Sequence, residues 1–143
     1  MYKETRLGDR TLDEVLKVAN LAFDHFYSRS EIMKRLSGKG YYLVIEKEKN
    51  VHGFVLGYPQ EDIFYCWLMA VHPEHRRKGI GKDFMNLCIE RAKELGKEKV
   101  SAKTHAGHPA MISLLKKLGF KETKREKRHW GDDREAIFYE KSI

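Results

Sequence analysis

From Ile63 to Val71 the chain reads Ile-Phe-Tyr-Cys-Trp-Leu-Met-Ala-Val, nine residues without a charge, entered through Pro59-Gln60-Glu61-Asp62. A strand that does not alternate apolar with polar is usually covered on both faces, so the run predicts a central strand. The next two segments narrow the fold further. Gly81 to Leu95 has helical spacing, with Phe84, Leu87, Cys88, Ala92 and Leu95 on one face and Gly96 as its stop. Lys99 to Thr104 then reads as a short strand. Two strands joined through a helix form a parallel pair, a βαβ unit that places a helix against a sheet.

The flanking segments complete a mixed sheet. Tyr2 to Arg6 alternates weakly and predicts a first strand. Thr11 and Glu14 have capping-box spacing ahead of Leu12, Val15, Leu16, Ala19, Ala22 and Phe23, which mark a first helix. Ser28 and Glu31 repeat the box before a shorter helix with Ile32, Met33 and Leu36 buried, ended by Gly38 and Gly40. Tyr41 to Glu46 and Val51 to Tyr58 read as strands about a turn at Lys49-Asn50. Pro109 opens a helix carrying Met111, Ile112, Leu114, Leu115 and Leu118, which Gly119 closes. Lys121 to Arg128 and Glu135 to Glu140 form a last pair of strands around Trp130-Gly131-Asp132-Asp133. The order β-α-α-β-β-β-α-β-α-β-β predicts an α/β fold, a mixed sheet of about seven strands with helices on both faces. The 143 residues suit a single domain, 1–143, with no repeat, low-complexity tract or linker.

Composition limits the partners. Twenty-eight basic residues against 21 acids give a net charge of +7, which suits an anionic ligand or surface, although acids and bases are interspersed. No apolar run approaches the roughly 20 residues that span a bilayer, so no membrane association is expected. The start Met1-Tyr2-Lys3-Glu4-Thr5-Arg6 has no signal-peptide core, and a cytoplasmic location is expected. Cys66 and Cys88 lie in apolar stretches without ligand spacing. The pairs His72/His75 and His105/His108 lie in loops, and no metal is expected at either.

Chemistry concentrates where the central strand meets its helix, at Arg76-Arg77-Lys78-Gly79-Ile80-Gly81-Lys82. Glycine lets a backbone turn sharply and approach a ligand closely. A helix start presents unpaired N–H groups and a partial positive charge. With four cations around it, the segment suits a polyphosphate. A P-loop requires GxxxxGK and then Ser or Thr, but Arg76 lies five before Gly81 and Asp83 follows Lys82. A GxGxxG dinucleotide fingerprint fails at Phe84.

The pattern Arg-x-x-Gly-x-Gly, placed after a hydrophobic strand that ends in Val71-His72-Pro73-Glu74, resembles the coenzyme A loop of the GNAT superfamily of N-acetyltransferases. Leu114-Leu115-Lys116-Lys117-Leu118-Gly119-Phe120 is similar to that superfamily's late helix, which typically ends in Leu-Gly-Phe, and the element order corresponds over essentially the whole chain. The resemblance implies a GNAT-like fold and an acetyltransferase using acetyl-CoA. It implies that the backbone of Leu68, Met69, Ala70 and Val71 pairs with the pantetheine arm, in a wedge where this strand splays from its parallel neighbour. It also implies that Arg76, Arg77, Lys78, Gly79, Ile80, Gly81 and Lys82 cradle the pyrophosphate.

The chain departs from the pattern at the proton donor. The family's late-helix Tyr, four before the Gly, is Leu115 here, and its Asn near the helix start is His108. Leucine cannot protonate a departing thiolate. An imidazole can, so His108 is the candidate catalytic residue; its other reading is a plain helix-entry residue. The base is open: where some relatives have Glu on the central strand, this chain has Tyr65, and Glu61 and Asp62 stand only at the strand's start. Cys66 reads as core, and direct attack by the amine in a ternary complex requires no enzyme nucleophile.

The resemblance implies a primary-amine acceptor, on a small molecule or a peptide, and is compatible with a homodimer. A non-catalytic protein that binds CoA or another nucleotide is the alternative. A basic nucleic-acid-binding domain is the weaker one, for want of a recognition helix or stacking motif.

Overall fold

The computed structural model describes residues 2–5, 9–23, 27–38, 42–47 and 51–143, with side chains described over 12–23, 27–38 and 51–143. In chain order the elements are β1 (Tyr2–Thr5), α1 (Asp9–Ala22), α2 (Arg29–Leu36), β2 (Tyr42–Lys47), β3 (Val51–Gln60), β4 (Ile63–Val71), a 3-10 turn (Pro73–His75), α3 (Ile80–Glu94), β5 (Lys99–His105), α4 (Pro109–Lys117), β6 (Lys121–Lys127) and β7 (Glu135–Ser142). They build one mixed sheet in the order β1-β2-β3-β4-β5-β7-β6, with β4 in the middle. The β4–β5 pair is parallel and the other pairs are antiparallel. Arg6, Phe26, Gly40, Tyr41 and the expected turn at Lys49-Asn50 lie outside the described residues.

Local signals explain several of these elements. Ser28 caps α2: its hydroxyl accepts from the Glu31 N–H at 3.1 Å, and the Glu31 carboxylate returns to the Ser28 N–H at 3.3 Å. The expected cap at Thr11 is corrected, because α1 already begins at Asp9 and Thr11 lies inside it. Met33, expected to be buried, is 45% exposed, while Ile32 and Leu36 are buried and Arg35 is partly buried. The helix is therefore rotated so that Arg35, not Met33, shares the inner side. In α3 the expected apolar face is also redrawn. Leu95 is exposed, whereas Met85 and Ile89 join Phe84, Cys88 and Ala92 in the core, because α3 packs on β3, β4 and β5 together.

The sheet separates two cores. On one face, α1 and α2 cover Phe54, Leu56, Tyr58, Leu68 and Ala70. On the other, α3 and α4 cover Val55, Phe64, Cys66, Val100 and Ala102. Central β4 contributes to both in a way its even numbering would forbid. Phe64 and Cys66 face α3, yet Leu68 and Ala70 face α1. The reason is a β-bulge: Leu56 pairs with Leu68 and Gly57 with Cys66, leaving Trp67 as an extra residue that exchanges the two faces. Gly57 is required opposite the bulge, since a Cβ there would lie 2.6 Å from the Phe64 ring. As expected of a central strand, β4 packs into a core on both faces, with buried and half-buried residues alternating along it. The open positions are Ile63 and Tyr65 before the bulge and Met69 and Val71 beyond it. At the far edge, β6 is exposed throughout and reads Lys-Glu-Thr-Lys-Arg-Glu-Lys, a charged border that discourages edge-to-edge pairing.

Candidate functional site

The bulge coincides with a second irregularity. Strands β4 and β5 pair from Ile63–Lys99 to Cys66–Ala102 and no further, although β4 runs on to Val71 and β5 to His105. Beyond that point the β5-facing backbone groups of β4 have no strand partner among the described residues, so a wedge opens between the two strands. Backbone amides and carbonyls at such an opening require other partners. Leu68, Met69, Ala70 and Val71 line its β4 side.

At the open end, the chain turns into α3. His72 caps the 3-10 turn, its Nδ1 accepting from the Glu74 N–H at 3.1 Å. Arg77 and Gly79 both have left-handed backbone, φ 66° and 77°. Gly79 is the N-cap of α3 and supplies no side-chain cap, so the first-turn amides at Ile80, Gly81 and Lys82 are left for another acceptor. Ile80 is buried and anchors the turn, whereas Arg76, Arg77, Lys78 and Lys82 are solvent-accessible around it. At Gly81 an added Cβ would point inward and lie 3.5 Å from both Met69 Cε and Leu114 Cδ2, so this position faces β4 and α4.

The candidate proton donor His108 is the N-cap of α4, and its Nδ1 accepts from the Met111 N–H at 3.1 Å. That bond holds the ring proton on Nε2, a donor facing away from the helix. Leu115 is fully buried in the core between α4 and the sheet. Replacing it with tyrosine overfills this core: Leu115→Tyr is expected to lower stability by about 1–3 kcal/mol in urea denaturation. A variant as stable as the parent would show that room for a phenol exists.

Glu61 and Asp62 stand at the closed end of the β4–β5 pair. The Asp62 carbonyl accepts from the Glu98 N–H, and the Glu61 carbonyl from Lys97 Nζ. Neither is near the wedge's mouth. Cys66 is buried beside Cys88; a hydrogen bond to that thiol, and burial, hold its own thiol well above the usual range, unsuited to nucleophilic attack. His72, Glu74 and His75 present ligand atoms within 4.8 Å of one another, a convergence that their loop positions in the sequence do not reveal. His72 Nδ1 is engaged by the cap, and His75 Nδ1 lies 3.0 Å from Lys78 Nζ.

On the face away from α3, the strands form a cleft of about 390 Å³ at the closed side of the wedge. Tyr65 enters it from β4, its hydroxyl pushed up to about 12 by burial, with nearby Arg35 opposing the shift. Arg35 also stacks over Trp67, 5.1 Å from the ring centre. Lys103 enters from β5. It lies 5.9, 5.5 and 5.8 Å from the rings of Tyr65, Phe138 and Trp130. Its Nζ is 3.0 Å from His129 Nε2, and His129 Nδ1 is 3.3 Å from Glu126 Oε2. Burial, then Arg35, lowers the Lys103 ammonium from its ordinary range. The sequence gives no sign of this group, since a lysine in a short strand has nothing local to mark it.

Comparison with known proteins bears on the fold and the family. An N-alpha-acetyltransferase of Sulfurisphaera tokodaii is 25% identical over 94% of this chain and 87% of its own length. The crystal structure of the ribosomal-protein-S18-alanine N-acetyltransferase from Escherichia coli superposes with a TM-score of 0.87 at 18% identity, covering 100% of this chain and 94% of that one. The NatC complex bound to Gag peptide and CoA has a chain that superposes at 0.82 with 16% identity, over 100% and 98% of the two chains. Residues 11–120 match the acetyltransferase (GNAT) family, and on the strength of that span the chain belongs to the GNAT family and is an acyltransferase.

Proposed function

We propose that the chain, as one domain, transfers an acetyl group from acetyl-CoA to a primary amine, by direct attack within a ternary complex. The observation that carries this reading is the wedge, which opens beyond Cys66 and Ala102 and ends at the uncapped, cation-ringed start of α3. The pantetheine arm lies along Leu68 to Val71, and the pyrophosphate rests on the amides of the Arg76–Lys82 segment. An amide near Ala70 or Val71 polarises the thioester carbonyl. The neutral amine attacks the carbonyl carbon and the C–S bond breaks; the new amide nitrogen gives its surplus proton to solvent, and the thiolate takes a proton. His108, with its proton on Nε2, is the candidate donor; a thiol of ordinary pKa about 8.5 is a fair leaving group in any case. The acceptor enters from the opposite face, past Tyr65.

The acceptor we favour is a polypeptide amino terminus. Relatives of the chain include N-alpha- and ribosomal-protein acetyltransferases, and the cleft is lined by aromatic and polar side chains open to solvent. Thiol release from acetyl-CoA is expected with peptides bearing a free α-amine and to be at least ~10-fold slower with free polyamines, since a bound peptide gains orientation that a small amine does not. Equal rates for both classes would refute the peptide assignment. Absence of release with any amine would refute transfer itself.

A further inference from the structure

The Lys103, His129 and Glu126 side chains form a chain of contacts that acetyl transfer to a peptide leaves unused. A nucleophile, a base within hydrogen-bond reach and a third group orienting the base are the parts of an activated nucleophile. Here all three are present at 3.0 and 3.3 Å. Lysine can only donate, so His129 accepts at Nε2 and carries its own proton on Nδ1, toward the Glu126 carboxylate. The position matters as much as the contacts. Ala102 is the last β5 residue paired with β4 and faces α3, so Lys103 is the first residue beyond the apex of the wedge and faces the acceptor cleft. Burial and the nearby Arg35 charge disfavour the ammonium at Nζ, while Glu126 and the faces of three aromatic rings act in the opposite sense.

We infer that Lys103 is itself an acceptor: the chain acetylates its own Lys103 Nζ from bound acetyl-CoA, with His129 as base and Glu126 orienting it. The inference rests on acetyl-CoA occupying the wedge as proposed. The ammonium gives one proton to His129 Nε2, and the imidazolium so formed is held by Glu126. The neutral amine attacks the thioester carbonyl, the N–C bond forms and the C–S bond breaks. The amide nitrogen's surplus proton goes to the CoA thiolate, and His129 returns its proton to solvent. The products are N-acetyl-Lys103 and free CoA. The neutral product amide ends the cost of burying a charge beside Arg35.

Intact mass, measured while the purified full chain is incubated with acetyl-CoA and no other amine, tests this inference. A gain of one acetyl group per chain is expected, stable to hydroxylamine as an amide is, and mapped to Lys103 by peptide sequencing. Lys103→Arg should abolish that gain while acetyl-CoA binding by calorimetry is retained. His129→Asn should slow it by about 100-fold, the usual loss for a general base, with binding unchanged. Glu126→Gln should slow it less.

Acetyl-CoA binding without acetyl gain, or acetyl groups scattered over surface lysines and unaffected by His129→Asn, would overturn the self-acetylation and leave the proposed function standing. Failure of the parent chain to bind acetyl-CoA would overturn both.

Discussion

Gly81→Val is expected to abolish acetyl-CoA binding, weakening it at least 100-fold in calorimetry, about 2.8 kcal/mol, while the chain stays folded by circular dichroism. The reason is the seat of α3 rather than any direct contact with the ligand. A methyl at position 81 reaches ordinary contact distance from Met69 and Leu114, so Gly81→Ala should be tolerated and serves as the control. The two further methyl groups of valine reach past that contact distance, and they are expected to shift the first turn of α3 away from β4, and with it the amides of Ile80, Gly81 and Lys82. Met69 lies on the strand segment proposed to pair with the pantetheine arm, so one displacement disturbs both parts of the cofactor site. A folded valine variant with parental affinity would remove the Arg76–Lys82 segment from the site.

The second large effect concerns the core beneath that seat. Phe84 is fully buried in α3, and its ring lies so close to β3 that a Cβ on Gly53 would come within 3.1 Å of Cε2. The β3 backbone is not free to collapse into the space the ring would leave, because Gly53 is paired on both sides within the sheet, with Glu46 of β2 and Val71 of β4. Phe84→Ala should therefore cost near the upper part of the usual range, about 3–5 kcal/mol. For a domain whose whole stability is of order 5–15 kcal/mol, that is a large share. The urea midpoint should fall steeply with an unchanged slope. A loss below about 1 kcal/mol would mean that α3 repacks, and the wedge could not then be as rigid as its role demands.

The features legible in the sequence are those produced by neighbours in the chain. The Ser28/Glu31 box closes within four residues, so its letters alone predict it, and the structure shows both of its bonds. The βαβ unit is legible because a strand, a helix with a glycine stop and another strand succeed one another directly. The loop at Arg76–Lys82 is legible because glycines, cations and a helix start fall within seven residues. Even there, the surroundings of Gly81 are hidden: it faces Met69 and Leu114, 12 residues before and 33 after, which no local pattern displays.

Other features belong to the tertiary structure. Trp67 carries no mark of a bulge. The extra residue is decided by pairing with β3, where Gly57 opposite Cys66 leaves room for Phe64, and that single insertion sends Leu68 and Ala70 to the opposite face from Cys66. Met33 stands on the outer side of α2 for a related reason. Helix periodicity gives the spacing of the buried stripe but not its rotation, which is settled by what the helix packs against. Lys103 is the clearest instance. It acquires meaning from His129 and Glu126, more than twenty residues away, and from strands that part just before it. Sequence alone determined the family resemblance, the order of elements and the basic glycine turn, because each depends on short-range chemistry. Only the folded sheet decided where the wedge opens and which side chains meet at its apex, because those depend on register between distant strands.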